Sequence, residues 1–292
     1  MTEKYEVELI LDAKADLAEG PFWHPREAAL YWVSIEAGEV HRFDPTSGED
    51  EVFDVGQQVG AAAVRAQGGL ILALRDGFGF LDLDSGAVEM AVRVEANQPL
   101  TRMNDGKCDP SGRFWAGTMS SDMTPGGSLY CLKTDLTVTK VLSDITISNG
   151  LDWPLDGRRM IYIDSMAHGI DVFDFDPEKP ALSNRRRLVD IPESQGLPDG
   201  MTLDAEDHLW VAVWGSGTLL RYTPKGELAA VVKLPATNVT SCAFGGPDLS
   251  DLYITTARLN LSDEQLHSQP YAGGLFRCRP RVKGLPAREF RG

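Results

Sequence analysis

Polar side chains recur at one position of a repeat, and their oxygen atoms could together bind a metal ion. Glu19, Asn104, Asn149 and Asp199 carry carboxylate or amide oxygens at this position. Each of six such positions stands 11 to 13 residues before the middle of an apolar, strand-like segment. The six positions are Glu19, Gly60, Asn104, Asn149, Asp199 and Ser241. Oxygen ligands favour Ca²⁺, Mg²⁺ or Mn²⁺, and Zn²⁺ also accepts carboxylate oxygen.

The shared register of these positions distinguishes a metal site from a set of ordinary turns. Taken singly, the NDG, NG and DG of residues 104–106, 149–150 and 199–200 are common turn sequences. Two carboxylates brought together without a cation would repel each other. We therefore expect a divalent ion where the positions converge, with water at the remaining coordination positions, as a catalytic metal requires.

The elements that position these residues repeat every 40 to 49 residues. Each apolar segment is followed by a second short run, and most of these runs end in a turn rich in Asp, Pro and Gly. Such a pattern predicts an all-β, six-bladed β-propeller with about four strands in each blade. The six apolar segments are 30–35, 70–75, 114–119, 160–165, 209–214 and 252–257.

The remaining segments complete this predicted propeller. Residues 4–13 (KYEVELILDA) should supply a strand to the last blade and so close the ring. Only residues 262–269 have a helical pattern, with Ser262 as the expected cap. Because no low-complexity linker interrupts the chain, we expect a single domain over residues 1–292.

Charge and apolar content restrict the possible partners. The 43 acidic and 28 basic residues give a formal net charge of −15, which repels nucleic-acid phosphates and anionic membranes. The longest apolar runs, such as residues 68–74 (GGLILAL), are too short to span a bilayer. We expect a small-molecule substrate, no nucleic-acid or membrane partner, and a monomer or weak homo-oligomer.

The cysteines and the N-terminal residues favour a cytoplasmic location. No CxxC pair signals a zinc knuckle, and the N-terminal residues lack the apolar core of a signal peptide. Reduced thiols in the cytoplasm are therefore expected. The four cysteines are Cys108, Cys131, Cys242 and Cys278.

Seven short segments, taken in order, carry a family resemblance. They are AEGPFW (18–23), RMNDGKCDPSGRFWAGTM (102–119), ISNGLDW (147–153), YIDS (162–165), LPDGMTLD (197–204), LWVA (209–212) and FGGPDL (244–249). Together they resemble the regucalcin/gluconolactonase family, which includes senescence marker protein and luciferin-regenerating enzyme. The resemblance implies a six-bladed propeller with one divalent metal ion that hydrolyses sugar lactones.

The resemblance also implies a metal-ligand set. Glu19, Asn149 and Asp199 match the family's metal ligands, whereas Asn104 matches a residue that meets the metal through water and also touches substrate. Ca²⁺ is the leading candidate for the ion, with Zn²⁺, Mn²⁺ and Mg²⁺ as alternatives.

On the substrate side, the resemblance implies two further residues. Arg102 matches a substrate-binding arginine. Asp122 stands where animal members carry a glutamate that contacts sugar hydroxyls, and it is one methylene shorter. The surrounding loop, residues 120–127 (SSDMTPGG), is also shorter than the animal version, so lid closure and sugar preference are open.

These roles lead to a mechanistic hypothesis. The metal would act as a Lewis acid on the lactone carbonyl oxygen and stabilise the developing oxyanion. Asp199 would be the general base for the attacking water, with hydroxide held by the ion as the competing base. Arg102 and Asn104 would position sugar hydroxyls, and Asp105 could orient the metal ligands from behind.

Two other functions are compatible with the same residues. The first is a calcium-binding regulatory propeller without significant turnover. The second is a related metal-dependent esterase or phosphotriesterase that uses the same metal and base. Arg102 and Asn104, as partners for sugar hydroxyls, favour lactones over phosphotriesters and other esters, whereas the polar residues at the repeat positions are equally compatible with a metal-binding regulator.

Overall fold

Six antiparallel sheets of four strands each form the predicted six-bladed β-propeller. The structure is a computed structural model that describes residues 5–292. In chain order, the strands of the first half are β1 (Val7–Leu11), β2 (Ala18–His24), β3 (Ala29–Ser34), β4 (Glu39–Phe43), β5 (Asp50–Asp54), β6 (Val59–Val64), β7 (Leu70–Leu74), β8 (Gly77–Leu81), β9 (Val88–Arg93), β10 (Thr101–Cys108), β11 (Phe114–Ser120) and β12 (Gly127–Leu132).

The second half of the chain repeats the same pattern. Its strands are β13 (Val138–Ile145), β14 (Ser148–Asp152), β15 (Arg159–Asp164), β16 (Gly169–Asp176), β17 (Ala181–Asp190), β18 (Leu197–Leu203), β19 (Leu209–Trp214), β20 (Thr218–Tyr222), β21 (Leu228–Lys233), β22 (Asn238–Gly245), β23 (Asp251–Ala257) and β24 (Leu275–Cys278). Short 3-10 turns occupy Ser165–Ala167 and Glu193–Gln195, and the one helix of residues 5–292 is α1 (Asp263–Ser268).

The inner strands form a closed ring around the axis. Each of them, β2, β6, β10, β14, β18 and β22, contacts the inner strand of the next blade, and β22 contacts β2. The ring closes because β1, from the start of the chain, pairs antiparallel with β24. This confirms the closing strand predicted over 4–13, within residues 5–13 that the structure describes.

Buried aspartates fix the turn that precedes the second strand in two blades. Asp109 accepts hydrogen bonds from the backbone N–H of Ser111 and Arg113 and, at 2.9 Å, from the indole of Trp115. Asp204 repeats this arrangement with the indole of Trp210, also at 2.9 Å. These contacts satisfy the polar groups of a tight turn while fixing a large core side chain beside it.

The C-terminal tail covers the end of the ring opposite the starts of the inner strands. Phe290 is fully buried in a core cluster, with its ring 6.4 Å from that of Phe80, and its N–H donates to Val64 O at 2.8 Å. Closer to the axis, Arg288 donates to Asp152 Oδ1 at 3.1 Å. The tail therefore closes one end of the central channel.

The helix is the predicted one and is short. Ser262 caps it by accepting from the N–H of Gln265, whose side chain in turn accepts from the N–H of Ser262. Within residues 5–292, no helix is long and apolar enough to cross a membrane.

Replacing Phe290 with alanine should test how far the tail stabilises the ring. We expect Phe290→Ala to lower the free energy of unfolding by about 3–5 kcal/mol, because it leaves a cavity among aromatic side chains. Urea unfolding followed by fluorescence would measure this change. Leu155→Ala, at a side chain that is 59% exposed, is the matched control, and equal losses in both variants would contradict the role of the tail.

Candidate metal and substrate site

All six repeat positions lie on the inner strands, next to a β-bulge. In every blade, the pairing of the first and second strands shifts register at the repeat position or one residue away from it. A bulge bends a strand locally and redirects its side chains. The bulges thus occur where the polar side chains meet at the mouth of the channel.

Two of the six positions allow close packing between inner strands. At Gly60, a Cβ atom would stand only 2.3 Å from the backbone oxygen of Asn104, so a larger residue would push the neighbouring strand away. Ser241 packs similarly, since a Cβ at Gly200 would stand 2.2 Å from its Oγ. Gly60 therefore contributes room for Asn104 and offers no side-chain ligand.

The amide side chains at the mouth have fixed orientations. Asn149 Nδ2 donates to Ser165 Oγ at 2.9 Å, which leaves Asn149 Oδ1 directed toward its neighbours on the axis. Asn104 Nδ2 donates to Ser148 O at 2.8 Å and is 3.4 Å from Asn149 Oδ1. Arg102 Nη1 donates to Asn104 Oδ1 at 2.7 Å. The Asn104 oxygen is thus engaged by Arg102, while the Asn149 oxygen remains suited to a cation.

The carboxylates at the mouth are buried and repel one another. Burial, and then repulsion from Asp199 and Asp105, raises the pKa of Glu19 well above its usual range. Burial, and then repulsion from Asp105, raises the pKa of Asp199 in the same direction. Such a pair of acids is unfavourable as two bare charges. A divalent cation between them would remove this penalty, so the donor set fits a metal.

A charged chain extends from the site down the channel. Asp105 is buried beneath the mouth, and burial raises its pKa to about 6 against the attraction of Lys107. Lys107 Nζ donates to Asp152 Oδ2 at 2.9 Å and to Met201 O at 3.0 Å. Arg288 contacts the other oxygen of Asp152. The lysine and the C-terminal arginine therefore neutralise charge behind the site.

With every group ionised, as it would be around a bound cation, this connected set has a formal excess of two negative charges. Five carboxylates and three cationic side chains interact with one another along the axis and at the rim. The set comprises Glu19, Glu36, Asp105, Asp152 and Asp199 with Arg102, Lys107 and Arg288. One divalent ion would balance it. This agreement in charge is independent of the ligand geometry.

Five of the six candidate residues lie in one cluster, and Asp122 lies in its own loop. Asp122 Oδ1 accepts from Ser120 Oγ at 2.6 Å and from the N–H and Oγ1 of Thr124 at 3.1 and 2.7 Å. These hydrogen bonds lower the pKa of Asp122. Across residues 5–292, no hydrogen bond or ion pair joins Asp122 to the cluster. The cluster comprises Glu19, Arg102, Asn104, Asn149 and Asp199.

A second acidic group, Asp204, Glu206 and His208, also has metal-type side chains close together. Asp199 lies near the start of β18 and Asp204 directly follows its last residue, so the two are roughly 16 Å apart along an extended strand. Arg221 donates to both Asp204 and Glu206, at 2.6 and 2.9 Å. Because this guanidinium already occupies an oxygen of each carboxylate, and Asp204 also accepts from the turn N–H groups of Glu206 and His208, we assign the second group to turn structure.

Comparison with known proteins identifies the family of this chain. The family model "SMP-30/Gluconolactonase/LRE-like region" matches residues 17–258. The chain belongs to this family. It is 40% identical to regucalcin of Danio rerio over 292 residues, which are 98% of this chain and 99% of that protein. The family resemblance seen in the sequence is therefore confirmed.

Two solved structures have nearly the same fold. A regucalcin from Agrobacterium tumefaciens, described as a calcium-binding protein, is 29% identical and superposes with a TM-score of 0.94 over 100% of this chain and 98% of its own. A luciferin-regenerating enzyme is 33% identical, with a TM-score of 0.92 over 99% of this chain and 100% of its own. These likenesses extend over the whole propeller.

The sequence pattern did not reveal three residues that support the site. Ser165 orients Asn149, Lys107 faces Asp105 from below, and Glu36 stands 3.7 Å from Arg102. Lys107 could have been predicted from the sequence, because it follows Asp105 by two residues and residues two apart share a strand face. Ser165 and Glu36 lie in turns after second strands, where no periodicity marks them.

The buried acids should make metal-free protein less stable as the pH rises. Their raised pKa values mean that the folded state binds more protons than the unfolded state, so stability falls with rising pH through about 6 and above. In EDTA, we expect Glu19→Gln to melt higher than wild type at about pH 8, by about 2 °C or more, with the difference shrinking toward about pH 5. Calorimetry would measure both.

Added Ca²⁺ serves as the companion measurement. It should raise the melting temperature of wild type far more than that of Glu19→Gln, because the variant lacks one anionic ligand. A variant that is less stable than wild type at every pH in EDTA would contradict the proposed repulsion.

Proposed function

We propose that the protein is a metal-dependent hydrolase that opens sugar lactones. Its membership of a family named for gluconolactonase supports this class of reaction. The observation that carries the proposal is the 2.7 Å hydrogen bond from Arg102 to Asn104, because it joins a donor for sugar hydroxyls to the carboxylate cluster. Metal ligands and substrate-binding groups would then share one mouth of the channel.

Three residues would hold the ion in this proposal. Glu19, Asn149 and Asp199 offer oxygen ligands, for which Ca²⁺ is the leading candidate, with Zn²⁺, Mn²⁺ and Mg²⁺ as alternatives. When bound, the ion would supply Lewis-acid polarisation of the lactone carbonyl. Asp105 would act from behind by keeping negative charge beneath the ligands.

Asp199 would move the proton during ring opening. Burial and the charge of Asp105 raise the pKa of Asp199 in the metal-free protein. With the ion bound, Asp199 would stay ionised, and its carboxylate could then accept a proton from the attacking water. The water oxygen bonds to the carbonyl carbon as its proton passes to Asp199. The ring C–O bond then breaks, and Asp199 returns the proton to the departing ring oxygen, which yields the open hydroxy acid.

The remaining side chains would bind the sugar. Arg102 can donate to a hydroxyl oxygen. Asn104 can accept from a hydroxyl through the second lone pair of Oδ1, since its amide hydrogens are engaged by Ser148 and Asn149. Asp122 retains one carboxylate oxygen outside its loop hydrogen bonds. The unpaired, buried cysteines are consistent with a cytoplasmic enzyme. We propose that it acts as a monomer or weak homo-oligomer on a small sugar lactone.

A calcium-binding regulatory protein is the second candidate. The 40% identity to a regucalcin and the calcium-binding description of the Agrobacterium regucalcin favour it. It would use the same ion site and would not need the base or the sugar-binding residues. Turnover therefore separates the two candidates.

Lactone hydrolysis should depend on a divalent ion. We expect protein treated with EDTA to lose proton release on a panel of aldonolactones, and one of Ca²⁺, Zn²⁺, Mn²⁺ or Mg²⁺ to restore it. A pH-indicator assay would follow the reaction, and the same protein would be titrated with each ion by calorimetry. Tight ion binding without turnover of any lactone would favour the regulatory candidate, and turnover of phosphotriesters or simple esters alone would favour the related hydrolases.

Removal of the base should abolish turnover. Asp199→Asn keeps the side-chain shape, and we expect kcat to fall by about 10²–10⁴-fold because the proton acceptor is lost, with weaker ion binding. Asp76→Asn, at an acid that pairs with Arg75 at 2.9 Å, is the matched control. Near-wild-type kcat in Asp199→Asn at saturating metal would refute the assignment of the base.

A further inference from the structure

Glu36 faces the substrate-binding arginine from a different blade. It lies in the turn between β3 and β4, and its Oε1 is 3.7 Å from Arg102 Nη2. The Glu36 side chain is 32% exposed and the Arg102 side chain is 13% exposed. Solutes can therefore reach the carboxylate, while the arginine forms the inner side of the pair.

Both side chains are held in place by other contacts. Gln58 Nε2 donates to Glu36 Oε2 at 2.8 Å, so the second oxygen, Oε1, is the one directed toward Arg102. Arg102 Nη1 donates to Asn104 Oδ1 and, at 3.0 Å, to Met103 O. Both groups are thus oriented before any ligand arrives, which lowers the entropic cost of binding.

The gap between the two groups is too long for a hydrogen bond. At 3.7 Å, Arg102 Nη2 and Glu36 Oε1 attract each other as charges, but no hydrogen bond joins them. A pair that served only to neutralise the arginine would close to a charge-assisted contact of about 2.8 Å. An unused donor and an unused acceptor therefore face each other at the open mouth.

The acid that the family resemblance implies for this task, Asp122, has no hydrogen bond or ion pair to Arg102 within residues 5–292. Three hydrogen bonds within its own loop converge on Asp122 Oδ1. Glu36 has one such bond, on the oxygen that points away from the site. Of the two acids, Glu36 therefore has a carboxylate oxygen beside the arginine that should bind the sugar.

We propose that Glu36, oriented by Gln58, is the specificity-determining carboxylate that recognises vicinal hydroxyls of the substrate together with Arg102. This inference rests on the proposed function and names its substrate class as polyhydroxylated lactones. One hydroxyl donates to Glu36 Oε1 and its neighbour accepts from Arg102 Nη2, so a diol satisfies both groups. A lactone without hydroxyls would leave them unpaired and would be disfavoured.

The test compares a hydroxylated with an unsubstituted lactone. In metal-loaded protein, Glu36→Ala should lower kcat/KM for glucono-δ-lactone by about 10- to 100-fold, as expected for loss of a hydrogen bond to a charged group. For δ-valerolactone, kcat/KM should stay within about twofold, and the Kd for Ca²⁺ should not change. Gln58→Ala should show the same selectivity to a smaller degree, because it frees the carboxylate without removing its charge.

Asp76→Ala controls for the loss of one negative charge near the mouth, since Asp76 pairs with Arg75 and Arg93 instead. Equal losses on both lactones in Glu36→Ala, or no loss on either, would overturn the inference. A weakened Kd for Ca²⁺ would overturn it as well, by assigning Glu36 to the stability of the site.

A binding measurement separates this inference from the proposed function. Calorimetry with gluconolactam and δ-valerolactam, which resist hydrolysis, reports hydroxyl recognition even if wild type turns over no lactone. Tighter binding of gluconolactam by wild type than by Glu36→Ala, by about tenfold or more, would support Glu36 although the hydrolase proposal had failed. Equal binding of the two lactams by wild type would overturn the inference whatever the turnover.

Discussion

Closure of the ring is the constraint on which the whole site depends. The last blade contains strands from both ends of the chain, since β1 pairs with β24. Next to this junction, Thr240 Oγ1 donates to Ala18 O at 2.6 Å and so ties the last inner strand to the first. Glu19 follows Ala18 directly. Its position near Asp199, two blades away through the last blade, therefore exists only in the closed ring, and tail contacts such as those of Phe290 help to maintain that state.

The fold and the placement of the main polar residues could be predicted because their signals are local. Alternating apolar strands, turns rich in Gly, Pro and Asp, and a constant spacing are all properties of short windows. The equivalence of Glu19, Asn104, Asn149 and Asp199 followed from that spacing, and all four lie beside bulges of inner strands. The bulges themselves were not foreseen, because they depend on strand pairing.

Contacts between segments that are far apart in the chain could not be predicted from the sequence. Arg288 and Asp152 are separated by 136 residues. The distance between Glu36 and Arg102 depends on how their two blades are positioned relative to each other. Hydrogen bonds within loops could not be predicted either. Asp122 was selected by family position, yet Ser120 and Thr124 engage one of its oxygens. Such choices depend on side-chain orientations that neither spacing nor composition encodes.

The charge arrangement suggests why the cation would bind at one end of the channel. Lys107 and Arg288 place positive charge toward the tail, whereas Glu19 and Asp199 concentrate negative charge at the mouth. In the lower half the carboxylate of Asp152 is already paired with Lys107 and Arg288. A divalent ion that entered the channel would therefore be held at the bulged strands, where the carboxylates have no such partners among residues 5–292. The carboxylates of Glu19 and Asp199 repel each other at this point, and the rigid ring prevents the two strands that carry them from moving apart. Function at the mouth and charge compensation below it are thus two parts of one electrostatic arrangement.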